Sequence, residues 1–440
     1  METTERIVEA YVRYIEGWAP IANICVFVGG PRPTLLACSV FSFVLFVCEI
    51  HLPSASANPN KYYVPPHKLM FDEPVGFHGY QGTETGPDEV TEIRVGFFAP
   101  LTPDQPAGLA MWRGATLALE QANTEGGYRG KLFRLVCRWA PDPWRAGSNM
   151  VIQLVYEDHV WAIIGSIDGE STHVAEQIVT KARVSLLSPI ATDSTLTYIR
   201  IPWMFRLAPD DERQASLLAE RVTADGSVKR IVLVNSTRHD DRIGAEEMLR
   251  ALLARRSPPG AQFTFDSPLL QPEILADRVV SASPDAMILW CGTHDAIMFL
   301  EKLATNGSTW PVYGPLCLNV PAFHAVAERW PGAVTLTSCW EGQETGDAAV
   351  AFERAYQAQY GIEPDFAAAY AFDAANLIVR SIRSVGLNRA RIRDAIAADS
   401  GYHGVTGDIS WDNGGGNLAL LRLVTVRKLA CDPSLSQPPR

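Results

Sequence analysis

The residues of this sequence whose types and placement suit a binding site fall in a few short strings. They are Ser166 to Ser171, Pro189 to Asp193, Asn235 to Asp241, Gly292 to Asp295 and Gly314 to Cys317, with Trp340 beyond them. Mixed histidine and carboxylate, as in His239-Asp240-Asp241 and His294-Asp295, is a donor set that binds zinc and similar ions. Neither pair lies in an HExxH string or a comparably spaced ligand helix, and polar residues at strand ends commonly cap helices, so no metal is expected. Around Gly169 small residues separate an apolar run from a helical one. With Ser171 as N-cap, free backbone amides there suit a polar or anionic group. Asp168 and Glu170 would repel an anion unless they point away. Thr192 offers a donor and an acceptor, and Asp193 could pair with an ammonium. No GxSxG, GxxxxGK[ST] or kinase loop is present, and no early GxGxxG signals a dinucleotide, so the chain reads as a binder with no cofactor and not as an enzyme.

The elements that must position these residues alternate. Apolar runs begin at Ile93, Lys131, Val160, Val184 and Trp203, and helical stretches are expected over 108–123, 146–157 and 171–182. After a helix from Asp211 the rhythm restarts, with runs from Arg230, Phe263, Asp285, Pro311 and Ala333 and helices over 244–255 and 295–305. Near-continuous apolar strands separated by helices argue for parallel sheets covered on both faces. Two successive series of about a hundred residues each suggest two similar α/β lobes. Ligands of open parallel sheets bind outside the carboxyl ends of the strands, where the strings named above fall. Helices over 347–360 and 367–384 follow, and DISWD and LALLRLVTV around Gly414-Gly415-Gly416 read as a return through the first lobe and a closing hairpin.

At 440 residues the chain has room for two domains and a leader. Its 49 acidic and 38 basic residues give a net charge of −11, with no basic run interleaved with aromatics, which disfavours nucleic acid as a partner. Residues 1–57 read as a targeting segment. Arg32 precedes the uncharged run Thr34 to Cys48, and Ala55-Ser56-Ala57 resembles a cleavage site. The run is shorter than the ~20 residues of a spanning helix, so a cleaved secretory signal is preferred to a membrane tether. Met1 to Val28, with four glutamates, fits no signal n-region, and a start near Val28 would explain it. Residues 58–91, rich in Pro, Gly and acid, read as an extension, and 429–440 as a tail. The sparse cysteines Cys137, Cys291, Cys317, Cys339 and Cys431 form no disulfide scaffold and no CxxC pair; one bridge, Cys291 to Cys317, is conceivable.

Taken together, IRVGFFAPLT, ALEQANTEGGYRGK, AIIGSIDGEST, VSLLSPIATDSTLT and GVTGDISWDNGGGNLALLRLV resemble, in order and spacing from about Glu92 to Arg427, the type I periplasmic binding proteins. The likeness is to their leucine/isoleucine/valine-binding branch, which serves ABC importers. It implies two Rossmann-like lobes joined by three crossover strands, lobe I spanning 92–210 and 336–407 and lobe II spanning 211–335 and 408–428. It also implies a monomer outside the cytoplasm, in the periplasm, that closes on a small solute and delivers it to a membrane ABC permease. A ligand-sensing module of the same fold is the alternative. By the same resemblance Gly169 and Ser171 hold the carboxylate side of a ligand, and Ile190 and Thr192 the amino side. The second lobe departs from the pattern. Asp241 precedes Ile243-Gly244 where amino acid binders have a tyrosine, no aromatic stands near Gly292-Thr293, and Leu316 replaces an acid after Gly-Pro. Those three positions, Asp241, Thr293 and Leu316, are expected in the site, and their chemistry argues against a standard branched-chain amino acid.

Overall fold

The computed structural model describes residues 80–426, apart from 225, 341, 343–345 and 400. The expected leader 1–57, residues 58–79 of the extension and the 429–440 tail lie outside the described residues.

Strands β1 (Ile93–Phe98), β2 (Phe133–Cys137), β3 (Ala162–Gly165), β4 (Ser185–Ser188) and β5 (Met204–Arg206) form one parallel sheet in the order β2-β1-β3-β4-β5. In register, Phe97 lies opposite Ile164, Ile164 opposite Leu187, and Leu187 opposite Phe205. Every residue of β3, β4 and β5 is buried, which is why these segments read as unbroken apolar runs. One face packs on helix α1 (Pro106–Thr124), the other on α2 (Ser148–Tyr156) and α3 (Gly169–Ala182).

The same order recurs with β6 (Ile231–Ser236), β7 (Ala261–Phe265), β8 (Ala286–Trp290), β9 (Val312–Gly314) and β10 (Val334–Ser338), arranged β7-β6-β8-β9-β10. Helices α4 (Asp211–Thr223), α5 (His239–Ala254), α6 (Pro272–Ser281), α7 (Thr293–Thr305) and α8 (Pro321–Ala327) cover it. The chain then returns to the first sheet. There α9 (Asp347–Tyr360), α10 (Phe366–Val385) and α11 (Arg389–Ala398) contribute buried residues to the core containing α1. Helices α1 and α10 approach so closely that a Cβ at Gly114 would stand 2.0 Å from the Ala368 carbonyl oxygen. Glycine on one helix and the run Ala367-Ala368-Ala369 on the other make that approach possible.

Three differences from the sequence reading have local causes. Helix α5 begins at His239, not Gly244, so the His239-Asp240-Asp241 string forms its first turn, where acidic side chains suit the helix dipole. Helices α6, α8 and α11 had no expected counterpart. The closing hairpin is also different. Strand β11 (Tyr402–Gly404) pairs with β12 (Gly407–Ile409), whereas β13 (Arg422–Val426) runs antiparallel along the outer edge of β10 in the second sheet. Only Ser410 and Trp411 of DISWD meet the chain after the glycines, through Asn417 and Leu418. Placing β13 on β10 satisfies an edge that would otherwise expose a row of amides and carbonyls.

Candidate ligand cleft between the sheets

In each sheet the strand order reverses beside its first strand, between β1 and β3 and between β6 and β8. Ligands of doubly wound folds bind at such points. The loops leaving β3 and β4 meet the start of α5, which follows β6.

Helix α3 opens at Gly169, and its cap is Asp168, not Ser171. The Asp168 carboxylate accepts the Ser171 amide at 2.7 Å. Aspartate and serine cap equally well, and here the earlier of the two holds the extended backbone of the cap position. Thr172 braces the loop by donating its hydroxyl to the Asp168 carbonyl at 2.5 Å and accepting the Ser166 amide at 3.1 Å. Glu170 turns away and accepts the Trp144 indole N–H at 2.7 Å. The Gly169 amide is left to point out of the helix, and it donates to both oxygens of Asp240, at 2.9 and 3.1 Å. Asp240 belongs to the second sheet's helix α5. A Cβ at Gly169 would come within 2.6 Å of Asp193 and 2.8 Å of Asp240, so only glycine admits both carboxylates.

Asp193, fully buried, caps the short 3₁₀ turn Ser194–Thr197 by accepting the Thr195 amide (2.8 Å) and hydroxyl (2.7 Å) on Oδ1. Its Oδ2 lies 2.8 Å from His239 Nε2 and 3.4 Å from His173 Nε2. His173 leans its Nδ1 on Glu176 at 3.0 Å. Burial opposes charge on Asp193, yet its bonds to His173 and His239 hold the carboxyl well below the usual range. Burial also opposes a proton on His173, but Asp193 and Glu176 outweigh it and push the imidazole up to about 10. Burial, reinforced by Asp168 and Asp193, pushes Asp240 up to about 7. A second contact joins the halves beyond this one. Ser194 and Tyr198 donate to Glu247 Oε1 at 2.9 and 2.7 Å, while Arg250 pairs with its other oxygen at 2.5 Å.

The expected site residues divide. Thr192, half-buried, accepts the Asp211 amide on its carbonyl at 2.8 Å. Burial raises Asp211 well above the carboxylate range, partly offset by the Thr192 side chain. Ile190 and Leu316 share one apolar cluster with Leu207 and Cys339, against which Leu101, Ile167 and Trp340 pack. Leu316 also donates its amide to Gln214 at 2.7 Å. Ser171 is buried, its amide spent on the cap. Asp241 and Thr293 work within the second sheet. Asp241 accepts the Ser236 hydroxyl (2.5 Å) and the Gly292 amide (3.2 Å), and Thr293 donates to the Cys317 carbonyl at 2.8 Å. Cys291 and Cys317 are free thiols, the Cys317 sulfur resting 3.7 Å from the Cys291 carbonyl oxygen. Sequence reasoning missed His173, Glu176, Asp211 and Glu247. His173 and Glu176, one helical turn apart behind Gly169, carried a usable signal; Glu247 had none beyond its charge.

A family model described as "Periplasmic binding protein" matches residues 92–428. An amino acid binding protein of Pseudomonas aeruginosa is 25% identical over 148 residues, 33% of this chain and 39% of the relative. The Leu/Ile/Val-binding protein homolog 3 of Brucella melitensis is 26% identical over 147 residues, with the same coverage of 33% and 39%. These alignments span about two fifths of the relatives' own length. Among solved structures, the branched-chain amino acid transporter substrate-binding protein LivJ of Streptococcus pneumoniae, in complex with isoleucine, superposes with a TM-score of 0.69 at 25% identity, covering 76% of this chain and 95% of LivJ. A solute-binding protein of R. palustris in complex with benzoate gives 0.68 at 18% identity, covering 76% and 92%. Among the described residues, no helix is long and apolar enough to cross a membrane.

Proposed function

Because the chain belongs to the periplasmic binding protein family, a family of binding proteins and not of enzymes, we propose that it is the extracytoplasmic solute-binding component of an ABC importer, capturing a small amphipathic carboxylate between its two lobes. Lobe I is taken as 92–210 with the chain that follows β10 up to 407, and lobe II, which keeps β10, as the rest of the matched region. The observation that carries this reading is the Asp240 carboxylate on the Gly169 amide. A helix N-terminus is a natural seat for an anion, and here a side chain of the opposite lobe occupies the seat. A solute carboxylate would displace Asp240 and take both the amide and the dipole. Its apolar body would lie toward Ile190, Leu207, Leu316 and Trp340. Relatives named for amino acids, and LivJ with its isoleucine, support a ligand that carries a carboxylate. Leu316 supplies no charge to an α-ammonium, so leucine, isoleucine and valine are expected to bind weakly.

A thermal-shift screen tests this. A solute present at about 100 times its dissociation constant stabilises the folded chain by about 2.7 kcal/mol. Small apolar carboxylates should give such shifts, and the three branched-chain amino acids should not. Micromolar binding of leucine, with no response to other carboxylates, would overturn the specificity proposed here.

A further inference from the structure

We propose that His173, Asp193 and His239 form a site for a divalent transition-metal ion that bridges the two lobes. Their ligand atoms, one from each residue, all lie within 4.8 Å of one another, with Asp193 Oδ2 at 2.8 Å from His239 Nε2 and 3.4 Å from His173 Nε2. An ion bound tetrahedrally at ~2.0–2.1 Å needs its ligand atoms about 3.3 Å apart. The two separations from Asp193 are therefore near those a bound ion requires, and the imidazoles need only close on each other. Two imidazoles and one carboxylate form a borderline nitrogen and oxygen set, suited to zinc and its neighbours and unlike the all-oxygen shells of calcium and magnesium.

The surroundings complete the site. Glu176 holds His173 Nδ1 at 3.0 Å, the carboxylate-to-histidine support that orients a ligating ring and turns its Nε2 to the ion. The other oxygen of Glu176 is buried with no hydrogen-bond partner. Thr195 occupies Asp193 Oδ1 with its amide and hydroxyl, which leaves Oδ2 to face the imidazoles; the same hydroxyl lies 2.8 Å from His173 Nε2, a bond the ion would replace. The Asp240 side chain also lies at this face, on the Gly169 amide. Binding would release the imidazole Nε2 protons and leave a fourth position for water or a solute atom. Since His173 and Asp193 follow strands of the first sheet and His239 opens a helix of the second, a complete site exists only when the lobes are together. The ion would act as a latch. This is independent of which solute the cleft takes.

The test is calorimetric titration of zinc chloride into metal-stripped full-length protein, with X-ray scattering on the same samples. The expected result is one zinc per chain, at least about tenfold weaker binding in H173N and in H239N, and a smaller loss in E176Q. Zinc should shrink the radius of gyration of the native protein but not of H239N. Absence of zinc binding, or equal affinity in native, H173N and H239N proteins, would overturn the site. Should a histidine variant fail to unfold cooperatively, cobalt(II) added to native protein decides. Visible d–d bands saturating at one equivalent support the site, and their absence refutes it.

Discussion

At the scale of single residues, the cleft is a set of polar groups spent on one another. Thr192 is the cleanest probe among them. It is half-buried beside Asp211 and, unlike Ser171, its amide caps no helix. Thr192→Val keeps the side-chain shape but removes the hydroxyl from the Asp211 side chain as well as from the ligand; the unpaired ligand group costs about 1–3 kcal/mol, or roughly five- to 150-fold in affinity. Calorimetry with a solute found in the screen reads this directly, and unchanged affinity with cooperative unfolding would place the ligand elsewhere. Several residues of this neighbourhood were legible in the sequence because small and polar residues follow apolar runs. Their pairing was not. Whether Asp168 or Ser171 caps α3 depends on backbone dihedrals, and the meeting of His173 with His239 depends on how two lobes face each other.

At the scale of elements, the strands were the most legible part. Runs such as AIIG and SLLS are buried on both faces and therefore carry an unbroken apolar signal. Helix α6 buries only Leu275, Ala276 and Val279, and α11 only Ala390, Ile392 and Ile396. Three buried residues in ten are too few to mark a period. The join between α10 and the 402–406 turn rests on Asp373, whose buried carboxylate accepts the Val405 and Thr406 amides and the Thr406 and Tyr402 hydroxyls. Burial pushes this carboxyl up to about 6, with those hydrogen bonds opposing. Its folded value thus lies above the ~3.9 of an unfolded chain. Between those limits the folded state binds more proton, so its stability falls as pH rises from about 4 to 6. Asp373→Asn removes that ionisation. Urea unfolding at pH 4, 5 and 6 should show the native protein losing about 2 kcal/mol more than the variant across the window. Parallel profiles would show that Asp373 does not titrate there.

At the scale of the whole molecule, two sheets of one strand order meet at the ends that doubly wound folds use for binding. The pairs across that meeting, Gly169 with Asp240, Asp193 with His239 and Ser194 with Glu247, connect elements that opening of the lobes would separate. Asp240 stands where the solute carboxylate is proposed to sit, so it competes with the ligand. Calorimetric titration of the screened carboxylate into D240A protein tests this most directly. Freeing the Gly169 amide from a charged partner, a bond of about 1.5–3 kcal/mol, should tighten carboxylate binding by about tenfold or more. Equal or weaker binding by a D240A protein that still unfolds cooperatively would contradict the account, because the ligand's carboxylate would then not be held at Gly169.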